Sequence, residues 1–271
     1  MLTISVFSVR GDRLHLRQVL GSGGTFPVSV AVHGDLVYVL NAENGGSVQG
    51  FRIAFGFVFP IWQSNRALGL DPTATPQFTN TPGQVAFSPD GSQLIVTTKA
   101  NGNDVDVYSV RRDGNLSSGA VVNAEAGTVP FAISFDKAGH LVIADAGTNA
   151  LSTYALAGDG TIALIDSVGT GQSATCWVAR VGGTFYASNA GSASVSGYRI
   201  GWNGQLTLLG QTSTDAGTVD ASGSAGGRYL YVQTGGNGIV DEFQINPDHS
   251  LTEIGSVTVA DAAGGEGIAA F

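Results

Sequence analysis

Five ionisable side chains sit where short apolar runs of this chain start or stop: Glu43, Lys99, Asp145, Asp220 and Glu266. Asn41, Gln84 and Asn189 fall at matching positions, and Trp177 stands among them as an apolar wall. Such a set supports two kinds of chemistry. A carboxylate can take the proton of a water as it attacks an acyl carbon, while an ammonium such as Lys99 or a metal ion stabilises the oxyanion. Carboxylate and amide oxygens that converge can also hold Ca²⁺, which takes about six to eight oxygen ligands. On this reading Glu43, Asp145 and Lys99 are the candidate catalytic groups. Trp177, Asn41, Asn189 and Gln84 are candidates for binding a substrate. Glu43, Asp145, Asp220 and Glu266 are candidate ligands for Ca²⁺ or another divalent cation. Glu43 and Asp145 stand out because most repeats carry Asn or Thr in their place. The four histidines, His15, His33, His140 and His249, map to hairpin turns or an outer strand, away from these positions. Cys176 has no histidine near it in the pattern and reads as a small buried hydrophobe. No organic cofactor is implied. GTGQSA at 169–174 imitates a dinucleotide loop, but strand-like sequence follows it rather than a helix. No G-x-S-x-G elbow occurs, and DVD at 104–106 alternates along a strand and reads as an exposed edge.

The elements that must position these residues come from an internal repeat. The stretch SVSGYRI at 194–200 has partners at 3–9, 47–53, 104–110, 150–156 and 239–245. Their aromatics are Phe7, Phe51, Tyr108, Tyr154, Tyr198 and Phe243, spaced by 44, 57, 46, 44 and 45 residues. Asp-Gly or Asn-Gly follows at 113–114, 159–160 and 203–204, the strongest short signal for a hairpin. Two more apolar runs precede each aromatic strand after the first, as in PFAISF and LVIAD, divided by another turn. Each unit is therefore four short strands, which is the pattern of a propeller blade. The reading is a single all-β domain over 1–271, a β-propeller of about six four-stranded blades. The innermost-strand pattern recurs a last time at 266–271 as EGIAAF, while the chain begins on a third strand at 3–9. This predicts that the two termini share one incomplete blade. The candidate residues above lie at the starts of inner strands or the ends of second strands, so they are expected at the mouth of a central channel.

Composition fits that picture. The 271 residues include 40 glycines, 43% are apolar and only 12% are charged, unlike a disordered chain. The net charge of −9 and the lack of a basic cluster argue against a nucleic-acid partner. No apolar run reaches the ~18 residues of a membrane span. A single cysteine excludes an internal disulfide. MLTISVFSVRG lacks the form of a signal peptide, so a cytoplasmic location is the default expectation.

The phrases PVSVAVHGDLVYVLNA (27–42), QVAFSPDGSQLIVTTKA (84–100), VPFAISFDKAGHLVIADA (129–146), ATCWVA (174–179) and GSASVSGYRIGWNGQLTLL (191–209) resemble the lactonase family of seven-bladed propellers. That family includes proteins similar to 6-phosphogluconolactonase and to carboxymuconate lactonizing enzyme. Against it, this chain reads as shortened at its N-terminus. The resemblance implies a lactone hydrolase working at the channel mouth on a small-molecule lactone. With few cations at the candidate positions, neutral lactones such as acyl homoserine lactones fit better than phosphorylated ones. The competing expectation is a non-catalytic propeller that binds a ligand or protein. One departure bears on partners. At 54–62 the chain reads AFGFVFPIW, with Phe55, Phe57 and Phe59 alternating. Either this face packs under the extra loop at 63–80, or it is an exposed contact patch. Self-association is expected to use the Phe55–Phe59 face or the incomplete blade.

Overall fold

The computed structural model describes residues 2–270. Apart from one short helical turn, α1 (Gln77–Asn80), its regular structure is all β. The chain divides into two compact units. One comprises residues up to 129 with 157–161, and the other comprises 130–156 and the residues from 162.

The first unit opens with an antiparallel hairpin, β1 (Thr3–Arg10) and β2 (Arg13–Gly21). Next comes a sheet of β3 (Pro27–His33), β4 (Leu36–Asn41), β5 (Ser47–Ala54) and β6 (Phe57–Pro60), with β7 (Arg66–Ala67) also paired to β5. A four-stranded sheet follows: β8 (Val85–Phe87), β9 (Gln93–Thr97), β10 (Asp104–Ser109) and β11 (Val121–Ala124). Alternation along β1 and β2 aims Ile4, Val6 and Leu20 at Val37, Val39, Phe51 and Val58 of the next sheet. The Gln18 amide closes part of this seam. It donates to the Val58 carbonyl and accepts from the Val58 N–H, both at 2.9 Å.

The second unit holds three four-stranded sheets. They are β12 (Pro130–Phe135), β13 (Leu141–Asp145), β14 (Ala150–Leu156) and β15 (Ile162–Gly169); β16 (Thr175–Val181), β17 (Thr184–Asn189), β18 (Ser194–Ile200) and β19 (Leu206–Ser213); and β20 (Thr218–Gly223), β21 (Tyr229–Thr234), β22 (Ile239–Ile245) and β23 (Leu251–Thr258). All pair antiparallel in chain order, as the repeat predicts.

The turns do more than reverse the chain. The Tyr38 hydroxyl donates to the Gly114 carbonyl of the following sheet at 2.8 Å. The Thr153 hydroxyl donates to the Gly204 carbonyl at 2.7 Å. Both glycines hold positive φ, 84° and 82°, which tight hairpins need and side chains resist. A one-residue register shift precedes the aromatic at Val6/Phe7, Thr153/Tyr154, Gly197/Tyr198 and Glu242/Phe243. The shift identifies β1–β2 as the third and fourth strands of a repeat.

Three sequence expectations change. Residues 266–270 form no strand, and β1 pairs only with β2. Gly264 and Gly267 take positive φ, and the segment binds side chains of β20 instead of a sheet edge. At 54–62, Phe55 sits in a turn, while Phe57 and Phe59 stay exposed on β6 and Val58 turns inward. The loop at 63–80 thus leaves those rings open, and the Arg17 guanidinium lies over Phe57 at 5.4 Å. The charged pair Asp104 and Asp106 suggests an exposed edge strand, yet β10 is interior and Asp106 is buried. Burial, with the Asp104 charge adding to it, pushes the Asp106 carboxyl up to about 6.

Candidate functional site

In the second unit the inner strands begin with a break in register. It falls between Thr175 and Trp177 on β16, and between Thr218 and Asp220 on β20. Such bulges re-aim the side chain that follows. Here the re-aimed residues are Trp177 and Asp220, two of the predicted site residues. They occupy the same repeat position on adjacent sheets.

Asp220 is only 6% exposed. Its Oδ1 accepts the Ala221 N–H at 2.7 Å and its Oδ2 accepts the Ile268 N–H at 3.0 Å. The Trp177 side chain lies near enough to favour the ionised form of this carboxyl. Burial, opposed by the Ile268 and Ala221 N–H donors and by Trp177 and helped by the nearby Glu266 charge, leaves the Asp220 carboxyl pushed up to about 7. The result is a positioned carboxyl that exchanges its proton near neutrality, where a general base is most effective. The structure therefore brings together Asp220, Trp177 and Glu266. It keeps Cys176 buried beside them in sequence, as expected.

The remaining predicted residues of this unit lie inside their sheets. Asp145, at the end of β13, is buried and accepts from the Ser152 hydroxyl at 2.5 Å. Asn189 occupies the same place on β17. It accepts from Thr175 at 2.7 Å and donates to Ser194 and Ser196 at 3.2 and 3.0 Å. Both read as polar fasteners between strands rather than groups open to a ligand.

In the first unit, Glu43 follows β4 and lines a cleft of about 170 Å³ with Asn44, Asp71, Gln77, Asn80 and Asn101. The loop at 63–80 builds one side of it, and the Gln77 amide reaches Glu43 Oε1 at 3.4 Å. Asn41 is buried, its amide donating to the Ser22 carbonyl at 3.3 Å. The Gln84 backbone N–H donates to the Thr97 hydroxyl oxygen at 3.0 Å. The Lys99 ammonium is buried against the loop, donating to the Phe78 carbonyl at 2.6 Å and lying 5.0 Å from the Phe78 ring. Its donors are thus engaged at Phe78, which does not favour the expected oxyanion role.

Within the second unit, Asp145 is held inside its own sheet, apart from the Asp220 carboxyl and its backbone donors. Among the described residues no three of His, Cys, Asp or Glu gather closely enough to hold a metal ion. Asp220 also directs its oxygens at N–H donors. Oxygens already accepting N–H groups in this way do not fit Ca²⁺, which needs them free as ligands.

Residues 145–267 match the family model described as Lactonase, 7-bladed beta-propeller. The resemblance seen in the sequence is matched over this stretch, and the phrases at 27–42 and 84–100 lie outside it. The matched stretch contains Asp145, Trp177, Asn189, Asp220 and Glu266. Solved structures agree on the propeller fold. A Bacteroides uniformis protein, provisionally named a 6-phosphogluconolactonase, is 19% identical, with a TM-score of 0.82 over 97% of this chain and 80% of its own. A periplasmic gluconolactonase of Pseudomonas aeruginosa is 18% identical, with a TM-score of 0.79 over 95% and 77%. Virginiamycin B lyase of Staphylococcus aureus is 15% identical, with a TM-score of 0.60 over 88% and 72%. At these identities the likeness speaks for the fold alone. No curated protein matches the chain.

What the sequence missed was the contribution of the C-terminal segment. The glycines in GGEG at 264–267 signal a loop there rather than an inner strand.

Proposed function

We propose that this protein is a lactone hydrolase with Asp220 as its general base. The observation that carries the reading is the Asp220 carboxyl itself, buried, held by two backbone N–H donors and poised near neutrality within the stretch that matches the lactonase family. In the reaction, water attacks the ring carbonyl carbon as Asp220 takes its proton. The tetrahedral intermediate then collapses, the ring C–O bond breaks, and the Asp220 acid returns the proton to the departing alkoxide. The product is the open hydroxy acid. Trp177 offers an aromatic wall for the lactone ring.

A neutral lactone suits the site, and acyl homoserine lactones are the proposed class. Arg180, the nearest basic residue on β16, is tied to the Phe135 and Gly182 carbonyls at 2.8 and 3.1 Å. It therefore does not serve as a phosphate anchor.

The test is pH-stat hydrolysis of a panel of acyl homoserine lactones and a sugar lactone, with and without chelator. The expected rate rises with pH through about 7 as Asp220 ionises, because only the carboxylate accepts a proton. Asp220→Asn is expected to lower kcat by roughly 10²–10⁴-fold with no loss of melting temperature. Turnover is expected to survive chelation. Full activity in Asp220→Asn, or no turnover of any lactone by folded protein, overturns the reading.

The exposed rings of Phe57, Phe59 and Trp62 favour a second reading, a propeller that binds a partner, including a second copy of itself. Light scattering across a concentration series, with Phe57→Ser as comparison, separates it from the first.

A further inference from the structure

The C-terminal segment holds an unusual position for a run with no regular structure. It is fixed at both ends to the last sheet. The Gly264 N–H donates to the Gly235 carbonyl at 2.8 Å, and the Gln233 amide donates to the Gly265 carbonyl at 3.1 Å. Gly267 then turns the chain with φ of 104°. Beyond it the Ile268 and Ala270 N–H groups reach across to the Asp220 carboxylate and the Ser222 hydroxyl, each at 3.0 Å. The two residue pairs have the same spacing, so the segment lies alongside the start of β20. It carries Glu266, the charged group whose effect on Asp220 is felt from this segment.

We infer that residues 264–270 are a strap that positions Asp220, with the Ile268 backbone N–H as the positioning donor. The inference rests on Asp220 being the base of the proposed reaction, but its central claim concerns the carboxyl alone. The N–H fixes which Asp220 oxygen is engaged and favours the ionised form. Glu266 acts the other way and favours the protonated form. The strap thereby sets the base's working range from a part of the chain outside every strand.

Two substitutions at one position isolate the donor. Ile268→Pro removes the N–H, while Ile268→Ala keeps it and trims the side chain. In carboxyl ¹³C titrations, with Asp220→Asn identifying the resonance, Ile268→Pro is expected to move the Asp220 midpoint upward by about one pH unit. Ile268→Ala is expected to leave it in place, and Glu266→Gln to move it downward. In lactone hydrolysis, Ile268→Pro is expected to lower kcat about tenfold and shift the pH profile upward, with KM within about twofold. Equal behaviour of the Pro and Ala variants, or an unmoved midpoint in Ile268→Pro and Glu266→Gln, overturns the strap. If Ile268→Pro does not fold, the Glu266→Gln midpoint decides alone. If the midpoints move as expected while no lactone is turned over, the strap stands and the lactonase reading falls.

Discussion

Phe7 and Phe243 occupy the same repeat position, follow the same register shift and differ in almost everything else. Phe243, in a four-stranded sheet, is fully buried, whereas Phe7, in the β1–β2 hairpin, is 48% exposed. Val30 and Val178 repeat the contrast on the inner strands, at 53% and 5%. β1 has only one paired strand, and the outward faces of β1 and β3 meet no covering sheet. The lesson is that a blade does not contain its own core. A sheet here has two faces, and each becomes interior only when another sheet lies on it. The same sequence motif is a core element in one place and a surface in another.

The largest test of that contrast is a matched pair of truncations. Phe243→Ala is expected to cost about 3–5 kcal/mol of unfolding free energy, and Phe7→Ala under about 1.5. Urea denaturation measures both; a Phe7 cost as large as that of Phe243 means the hairpin face is covered in solution. A second pair uses the position two residues before the aromatic, Asp106 in a full sheet and Ser5 in the hairpin. Asp106 keeps its proton more tightly when folded, at about 6. Its stabilising effect is therefore complete below pH ~4 and lost as pH rises through about 6. At pH 8, Asp106→Asn is expected to gain up to roughly 3 kcal/mol, a gain that shrinks towards pH 4. Ser5→Asn should change stability by less than about 0.5 kcal/mol at either pH. The smallest contrast is Val178→Ala, at about 2 kcal/mol, against Val30→Ala at under about 1. Comparable losses at the two valines would show that β3 is packed on its outer face.

Much of this was legible in the residues. Aromatics at a near-constant interval and Asp-Gly turns between alternating runs give four-stranded units, because strand period and turn chemistry are local properties. The site was legible only in part. Alternation assigns a side chain to a face, but a one-residue bulge reverses the assignment, and bulges precede both Trp177 and Asp220. Asp220 was thus found by position but read as a metal ligand. Asp145 and Asn189 were read as facing a channel because they end strands. Their hydrogen bonds to Ser152 and Ser196 are a cross-strand feature that linear sequence does not display. Asp106 was misread because charge in alternation resembles a solvated face, whereas the sheet pairs β10 on both sides.

The Trp177 indole beside Asp220 also gives the protein an optical readout of its own. The other two tryptophans, Trp62 and Trp202, are 83% and 91% exposed, so a water-borne quencher such as iodide reaches them freely. Trp177 is less exposed than either, so the emission that best survives the quencher comes from the indole beside the titrating acid. Its intensity followed against pH reads the charge on Asp220 without a label, a substrate or a substitution.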